Sequence, residues 1–194
     1  MFDANDPFEL FAAWFAEAEA DEPGLPSAMC LATADGDGAL SARMVLLKGA
    51  DKRGFVFYTN MESRKSDELN VNPRAALCFY WATLNRQVRM EGRTEAVSDA
   101  EADAYFASRQ RDSQIGAWAS PQSRPLASRA ELERRFADFS DKFGDDPVPR
   151  PPFWSGYRLV PDWFEFWRQG ASRLHDRLAF TRSAGGWTRQ RLNP

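Results

Sequence analysis

Hydrophobic positions along this chain change their period several times, and each change marks an element. Phe8, Phe11, Trp14, Phe15 and Ala18 recur at three- and four-residue steps, the spacing of one helix face. Asp6 and Glu9 stand at capping-box spacing ahead of them, Pro7 takes the first helical position, and Glu22-Pro23-Gly24 ends the helix. The pattern then turns to apolar runs typical of strands. Residues 28–34 and 39–48 flank Asp35-Gly36-Asp37-Gly38, whose Asp-Gly pairs signal a hairpin, and residues 54–60 follow the tight turn Asp51-Lys52-Arg53-Gly54. These three runs read as an antiparallel meander.

Ser63 is placed to cap a short helix through Leu69, and Asn72-Pro73 stops it before paired strands at 74–81 and 87–97. Capping boxes, Ser98 with Glu101 and Ser128 with Glu131, open two more helices, the second closing near Gly144. Residues 109–125 between them read as polar and irregular. A Pro-rich connector at 145–152 leads to strands near 153–160, 163–168, 177–182 and 187–192. Strands outnumber helices, and their links are too short for crossovers. The expected fold is therefore mainly β, an antiparallel barrel with peripheral α-helices, in preference to a doubly wound sheet. One domain spans 1–194, with 1–26 as its N-terminal helix and connector and 145–194 as the strands that complete the barrel.

Composition narrows the chemistry. With 194 residues, 43% of them hydrophobic, the chain can bury a core without disulfide or metal staples. Cys30 and Cys78 sit in separate apolar runs and read as buried free thiols, which fits a reducing, cytoplasmic compartment. The start, Met1-Phe2-Asp3-Ala4-Asn5-Asp6, is acidic where a signal peptide is basic, and no apolar run reaches the roughly 18 residues of a membrane span. A net charge of −3 argues against a nucleic-acid partner. Yet cations collect on strand patterns: Arg43, Lys48, Arg64 and Lys65 around one sheet segment, and six arginines against the single acid Asp176 between Arg168 and Arg191. Arginines held on a rigid scaffold in an acidic protein point to a small anionic ligand, most simply a phosphate. Tyr105 and Arg109, four apart on one helix, can grip one anion together. Alternation puts Arg43 and Lys48 on opposite strand faces, so their sharing a pocket requires a bulge, a bend or a barrel end. His175 is the only histidine, and with no Cys pair beside it a metal site has little support.

Several blocks in order carry a family resemblance: Arg43-Met44-Val45-Leu46-Leu47-Lys48, Phe57-Tyr58-Thr59-Asn60, Ser63-Arg64-Lys65, Arg86-Gln87-Val88, residues 111–118, Glu165-Phe166-Trp167 and Arg173-Leu174-His175-Asp176-Arg177. Together they resemble the pyridoxine/pyridoxamine 5′-phosphate oxidases over nearly the whole chain. The resemblance implies an FMN-binding split β-barrel working as a homodimer, with FMN at the subunit interface. It implies that the run from Arg43 through Met44, Val45, Leu46 and Leu47 to Lys48 lines the FMN site, that Arg43 and Lys65 grip its phosphate, and that Arg64, Tyr58 and Thr59 complete the cradle. Gln87 would touch the flavin, and Gln122, Ser123, Trp167 and Arg177 would reach it from the other subunit. Lys48, Tyr105, Arg109 and Ser113 match positions that hold the phosphate of the vitamin substrate, and Arg173, Leu174 and His175 match those beside its ring. The implied reaction oxidises pyridoxamine or pyridoxine 5′-phosphate at C4′, with O2 as acceptor and H2O2 as by-product.

This chain departs from the family pattern in three places. It starts at the first helix where relatives often carry an extension that closes over the substrate, it has Gln110 where proline is common, and it has Arg168 where glutamine commonly follows Glu-Phe-Trp. The alternatives are another split-barrel flavin oxidase, such as a phenazine-pathway relative, and a non-catalytic FMN or pyridoxal-phosphate binder.

Overall fold

The computed structural model describes residues 4–194; Met1, Phe2 and Asp3, which supply half of the acidic start, lie outside the described residues. Helix α1 (Pro7–Asp21) begins with Pro7 in the first turn as expected, while the Asp6 carboxylate caps it by accepting from the Phe8 amide at 2.8 Å in place of the expected box with Glu9. Its buried face, Leu10, Phe11, Trp14 and Ala18, packs on the sheet: the Phe11 ring lies 4.8 Å from Phe55 and 5.3 Å from Phe79.

The strands are β1 (Ala28–Ala34), β2 (Leu40–Leu46), β3 (Gly49–Asp51), β4 (Gly54–Asn60), β5 (Arg74–Trp81), β6 (Arg86–Ala96), β7 (Trp154–Arg168), β8 (Asp176–Ser183) and β9 (Gly186–Arg191). They form one sheet in the order β2-β1-β5-β6-β7-β4-β3, with β8 on β7 and β9 on β8, all antiparallel. The expected meander is corrected here, because β4 pairs with β3 and β7 and not with β2. Between β2 and β3 the chain passes from one edge of the sheet to the other: the Leu47 amide donates to Ser27 O beside β1, and the next amide, Lys48, donates to Val56 O on β4. Two edges that one residue can bridge must curl together, which is barrel closure.

Two further expectations change. Strands anticipated at 153–160 and 163–168 are the single strand β7, because its neighbour on one side switches from β4 to β8 while β6 follows it from Tyr157 to Arg168. Pro161, which has no amide to donate, sits at the register slip between Glu91 and Gly92. Only glycine fits there, since a Cβ on Gly92 would lie 2.2 Å from Val160 O. The stretch read as irregular contains helix α4 (Arg111–Ala119) between α3 (Asp99–Ala107) and α5 (Arg129–Phe143). Its apolar residues are too few to set a period, and tertiary contacts supply the missing stability: Gln114 Nε2 donates to Phe106 O at 2.9 Å, and Trp118 packs 5.7 Å from both Phe139 and Phe143. The capping box of α3 forms as expected.

Cys30 and Cys78 turn out to be register partners across β1 and β5, as half-buried free thiols. Among the described residues no helix is long and apolar enough to cross a membrane.

Candidate active site

Helix α2 (Arg64–Val71) brings a cation to the barrel wall. Ser63 occupies its N-cap, but the hydroxyl makes no capping bond and instead accepts from Lys65 Nζ at 3.1 Å. Lys65 also donates to Thr59 Oγ1 at 3.0 Å and to Gln122 Oε1 at 2.7 Å, and Thr59 donates to the same Gln122 oxygen. All three of these acceptors are neutral. Burial, with the Arg43 charge adding to it and Glu68 opposing it, therefore pulls the Lys65 ammonium down to a pKa of about 8.

Beside it, Glu68 is 5% exposed and accepts from Thr33 Oγ1 at 2.5 Å, Ser41 Oγ at 2.7 and 2.8 Å, Arg64 Nε at 2.8 Å and Arg43 at 3.1 Å. Burial alone would raise its pKa, but these donors outweigh it and hold the carboxyl at about 2. Arg43 further donates to the hydroxyls of Thr33 and Ser41.

A cavity of about 760 Å³ opens in front of this cluster. Arg43, Lys48, Lys65 and Arg109 line it, with no Asp or Glu among the lining residues, although the protein as a whole carries net charge −3. Arg43 and Lys48 share it because β2 ends at Leu46 and the chain bends, one of the three devices the strand alternation called for. On the far side Tyr58, Tyr105 and Trp154 stack, with centroids 4.1 Å apart for the two tyrosines and 5.3 Å for Tyr58 and Trp154. The Arg109 guanidinium lies 4.9 Å over Trp154, and Lys48 Nζ is 5.9 Å from the Tyr105 ring. Arg109 NH1 is buried with no hydrogen-bond partner among the described residues, and burial pushes its pKa down. Such a donor is free to bond a ligand in the cavity.

The family comparison is decisive. The pyridoxamine 5′-phosphate oxidase family model matches residues 16–143, and the pyridoxine 5′-phosphate oxidase C-terminal dimerisation region matches residues 154–194. The chain belongs to the pyridoxamine 5′-phosphate oxidase family. It is similar to the pyridoxine/pyridoxamine 5′-phosphate oxidases of Caulobacter vibrioides, 58% identical over 100% of this chain and 87% of the relative, and of Rhodospirillum rubrum, 59% identical over 98% and 97%. Among solved structures it resembles PhzG from Burkholderia lata 383 in complex with tetrahydrophenazine-1-carboxylic acid, with TM-score 0.94 and 32% identity over 100% of this chain and 95% of that one. A pyridoxamine 5′-phosphate oxidase-related, FMN-binding protein from Nostoc punctiforme shares the fold, with TM-score 0.79 and 18% identity over 98% of this chain and 100% of that one.

Within this oxidase-family chain, most of the residues expected at the site fall into two groups, with Leu47, Arg64 and Ser123 in neither. Arg43, Met44, Val45, Leu46, Lys48, Tyr58, Thr59, Lys65, Tyr105, Arg109, Ser113 and Gln122 line the cavity. Gln122 was expected from the other subunit, yet it bonds Lys65 and Thr59 of its own chain, because the turn after α4 folds back over the N-terminus of α2. Tyr58 contributes its ring rather than its hydroxyl, which donates to Glu101 O at 3.3 Å. Arg64 is largely exposed and reaches Glu68, Leu47 faces a separate apolar cavity under α1, and Ser123 sits outside in a left-handed conformation.

The second group lies on the outer face of the sheet. Gln87, Trp167 and Arg177 are register partners across β6, β7 and β8, in one row with exposed Tyr80. Arg177 Nε bonds Glu165 at 2.6 Å, and this buried carboxylate also meets Arg89 at 3.1 Å. The His175 ring is 4.8 Å from Trp167 and its Nδ1 accepts from the Gly170 amide at 3.2 Å. Ser172 and Arg173 take φ values of 54° and 63° in this tight loop, and Leu174 is exposed beside them. None of these residues lines the cavity of its own chain.

Sequence reasoning missed Glu68 and its companions Thr33 and Ser41. Arg64 and Glu68 carry the only signal, an i,i+4 pair that ordinarily means a solvated helix face.

Proposed function

We propose that the cavity seats two phosphorylated ligands side by side, FMN at Arg43 and Lys65 and a B6 vitamer phosphate at Lys48, Tyr105, Arg109 and Ser113. On this reading the protein oxidises pyridoxamine and pyridoxine 5′-phosphates to pyridoxal 5′-phosphate, with O2 reduced to H2O2 and, from the amine, one water consumed and ammonia released. The observation that carries it is the lining of four cations with no carboxylate in an acidic protein. The donor set fits two phosphates: Lys65 is held among neutral oxygens, and Arg109 has a buried N–H to spare. FMN supplies the electron chemistry when bound, accepting a hydride equivalent from C4′ and passing electrons to O2.

The chain's own residues bind and orient. Val45 and Leu46 offer an apolar wall, and the stack of Tyr58, Tyr105 and Trp154 keeps Tyr105 and Arg109 in a fixed relation. Pinning both phosphates turns the meeting of two rings into an intramolecular event, a contribution of about 7–11 kcal/mol in well-oriented systems.

A homodimer completes the site. Met44 and Tyr80 stand 63% and 59% exposed on the sheet face that also bears Gln87, Trp167 and Arg177. A second copy covering that face would carry Trp167 and Arg177 to the other cavity, and Arg173, Leu174 and His175 travel with them because His175 packs on Trp167. Arg173 then packs over the substrate ring and His175 hydrogen-bonds beside it. The match of residues 154–194 to a dimerisation region supports this arrangement.

A phenazine-type substrate is the second reading, favoured by the likeness to PhzG. Lys48, Tyr105, Arg109 and Ser113 gathered at one cavity weigh against it, since they answer to a phosphate. Anaerobic mixing of FMN-loaded protein with pyridoxamine 5′-phosphate decides: rapid flavin bleaching followed by stoichiometric H2O2 on admitting O2 is expected. Failure to bleach would overturn the oxidase reading in favour of a different substrate or a binding protein.

A further inference from the structure

The buried carboxylate of Glu68 touches two guanidinium groups of the cation cluster, Arg43 at 3.1 Å and Arg64 at 2.8 Å, and lies four residues from the first of the cluster's helix residues. We infer that Glu68 is a positioning residue that holds Arg43 in place for an incoming phosphate group. This rests on the assignment of FMN phosphate to Arg43 and Lys65.

A carboxylate beside an anion site looks counter-productive, because its charge repels the phosphate. Its hydrogen bonding resolves the contradiction. Both Glu68 oxygens are already engaged by Ser41, and Thr33 and Arg43 share Oε2 while Arg64 takes Oε1. Thr33 and Ser41 also accept from Arg43, so the guanidinium is tied at two of its nitrogens to a hydroxyl pair that the carboxylate itself orders. A free arginine side chain gives up rotamer entropy when a ligand fixes it. Here that ordering precedes ligand binding, which is preorganisation in the usual sense.

The network spans elements as well as residues. Thr33 comes from β1, Ser41 and Arg43 from β2, and Arg64 and Glu68 from α2. Glu68 therefore also fixes the distance between the strand cation Arg43 and the helix that carries Lys65.

Charge and positioning make opposite predictions, which permits a clean test. Glu68→Gln leaves the cluster one unit more positive, so on charge alone FMN should bind more tightly. If Glu68 positions the Arg43 guanidinium, the apoprotein of Glu68→Gln should bind FMN roughly tenfold or more weakly, the scale of a lost charge-assisted hydrogen bond. Riboflavin, which lacks the phosphate, should bind within about twofold of wild type, whereas a general loss of structure would weaken both flavins alike. Titrations of apoprotein by flavin fluorescence give both constants without turnover. Unchanged or tighter FMN binding, or a parallel loss for riboflavin, would overturn the inference. Should Glu68→Gln fail to fold, the pair Thr33→Val and Ser41→Ala keeps the carboxylate and its direct bond to Arg43 but removes the hydroxyls that hold the guanidinium at two further points, and a smaller selective loss of FMN affinity is expected; unchanged FMN binding or equal loss for both flavins would again overturn it. A wild-type apoprotein that bound riboflavin as tightly as FMN would instead remove the phosphate assignment, and this inference with it.

Discussion

Lys65 and Gln122, 57 residues apart in the chain, meet at 2.7 Å, and the ammonium finds only neutral oxygens around it. Burial, reinforced by Arg43, drops its pKa from an ordinary 10.5 to about 8. The unfolded chain keeps that proton up to the higher value and the folded apoprotein loses it at the lower one, so apoprotein stability rises with pH across this window. A phosphate arriving beside Lys65 restores the proton. FMN affinity should accordingly fall above about pH 8, by up to about tenfold per pH unit, while riboflavin affinity stays level. Lys65→Met should bind FMN weakly with no such slope; titrations across the range check it, and a flat wild-type profile would contradict the assignment.

Arg109 presents a buried N–H without a partner, stacked 4.9 Å over Trp154. Replacing it with methionine keeps the apolar stem and removes the charge. We expect KM for pyridoxamine 5′-phosphate to rise roughly tenfold to a hundredfold, as for a lost charge-assisted bond, with the flavin content unchanged. Steady-state kinetics beside an absorbance spectrum separate the two; a loss of flavin with KM unaltered would place Arg109 at the FMN phosphate instead.

Gly170 admits no side chain, because a Cβ there would lie 1.9 Å from the Leu174 carbonyl oxygen. Gly170→Ala must push that backbone away, and with it Arg173 and His175. The reductive half-reaction should slow at least tenfold while FMN stays bound and Tm moves little, since the loop is peripheral to the core. Stopped-flow reduction and thermal melts read the two effects, and an unaltered reduction rate would free the loop of any role in positioning substrate.

Met44 and Tyr80, with Leu40 at the start of β2, are exposed apolar side chains of the outer sheet face. Introducing charge at both, Met44→Glu with Tyr80→Glu, should yield a monomer by light scattering and a flavin affinity lowered with it, because buried unpaired charge is costly at an interface. A dimer that survives both changes would place the contact elsewhere.

The element order was legible along the chain because strands and helices announce themselves by period and cap. The Asp6 cap, the Ser98–Glu101 box and the Asp-Gly hairpin all form where the residues stand. Helix α4 was not legible, since it depends on Gln114 reaching Phe106 and Trp118 packing on α5. Nor was the pairing of β4 with β7, which joins residues about a hundred positions apart.

At the site, residue type and order along the chain identified the cations and the family they resemble, because a phosphate needs fixed positive donors and few residues supply them. Which side chains share a cavity was decided by tertiary structure. The bend after Leu46 brings Lys48 round to Arg43, the fold-back after α4 lays Gln122 on Lys65 in its own chain, and barrel curvature sets Glu68 against Thr33, Ser41 and Arg43. Local sequence carries the chemistry of each side chain and the period of its element. The meeting of side chains from distant elements depends on how the sheet curls and which edges pair, and that follows from packing the whole core at once.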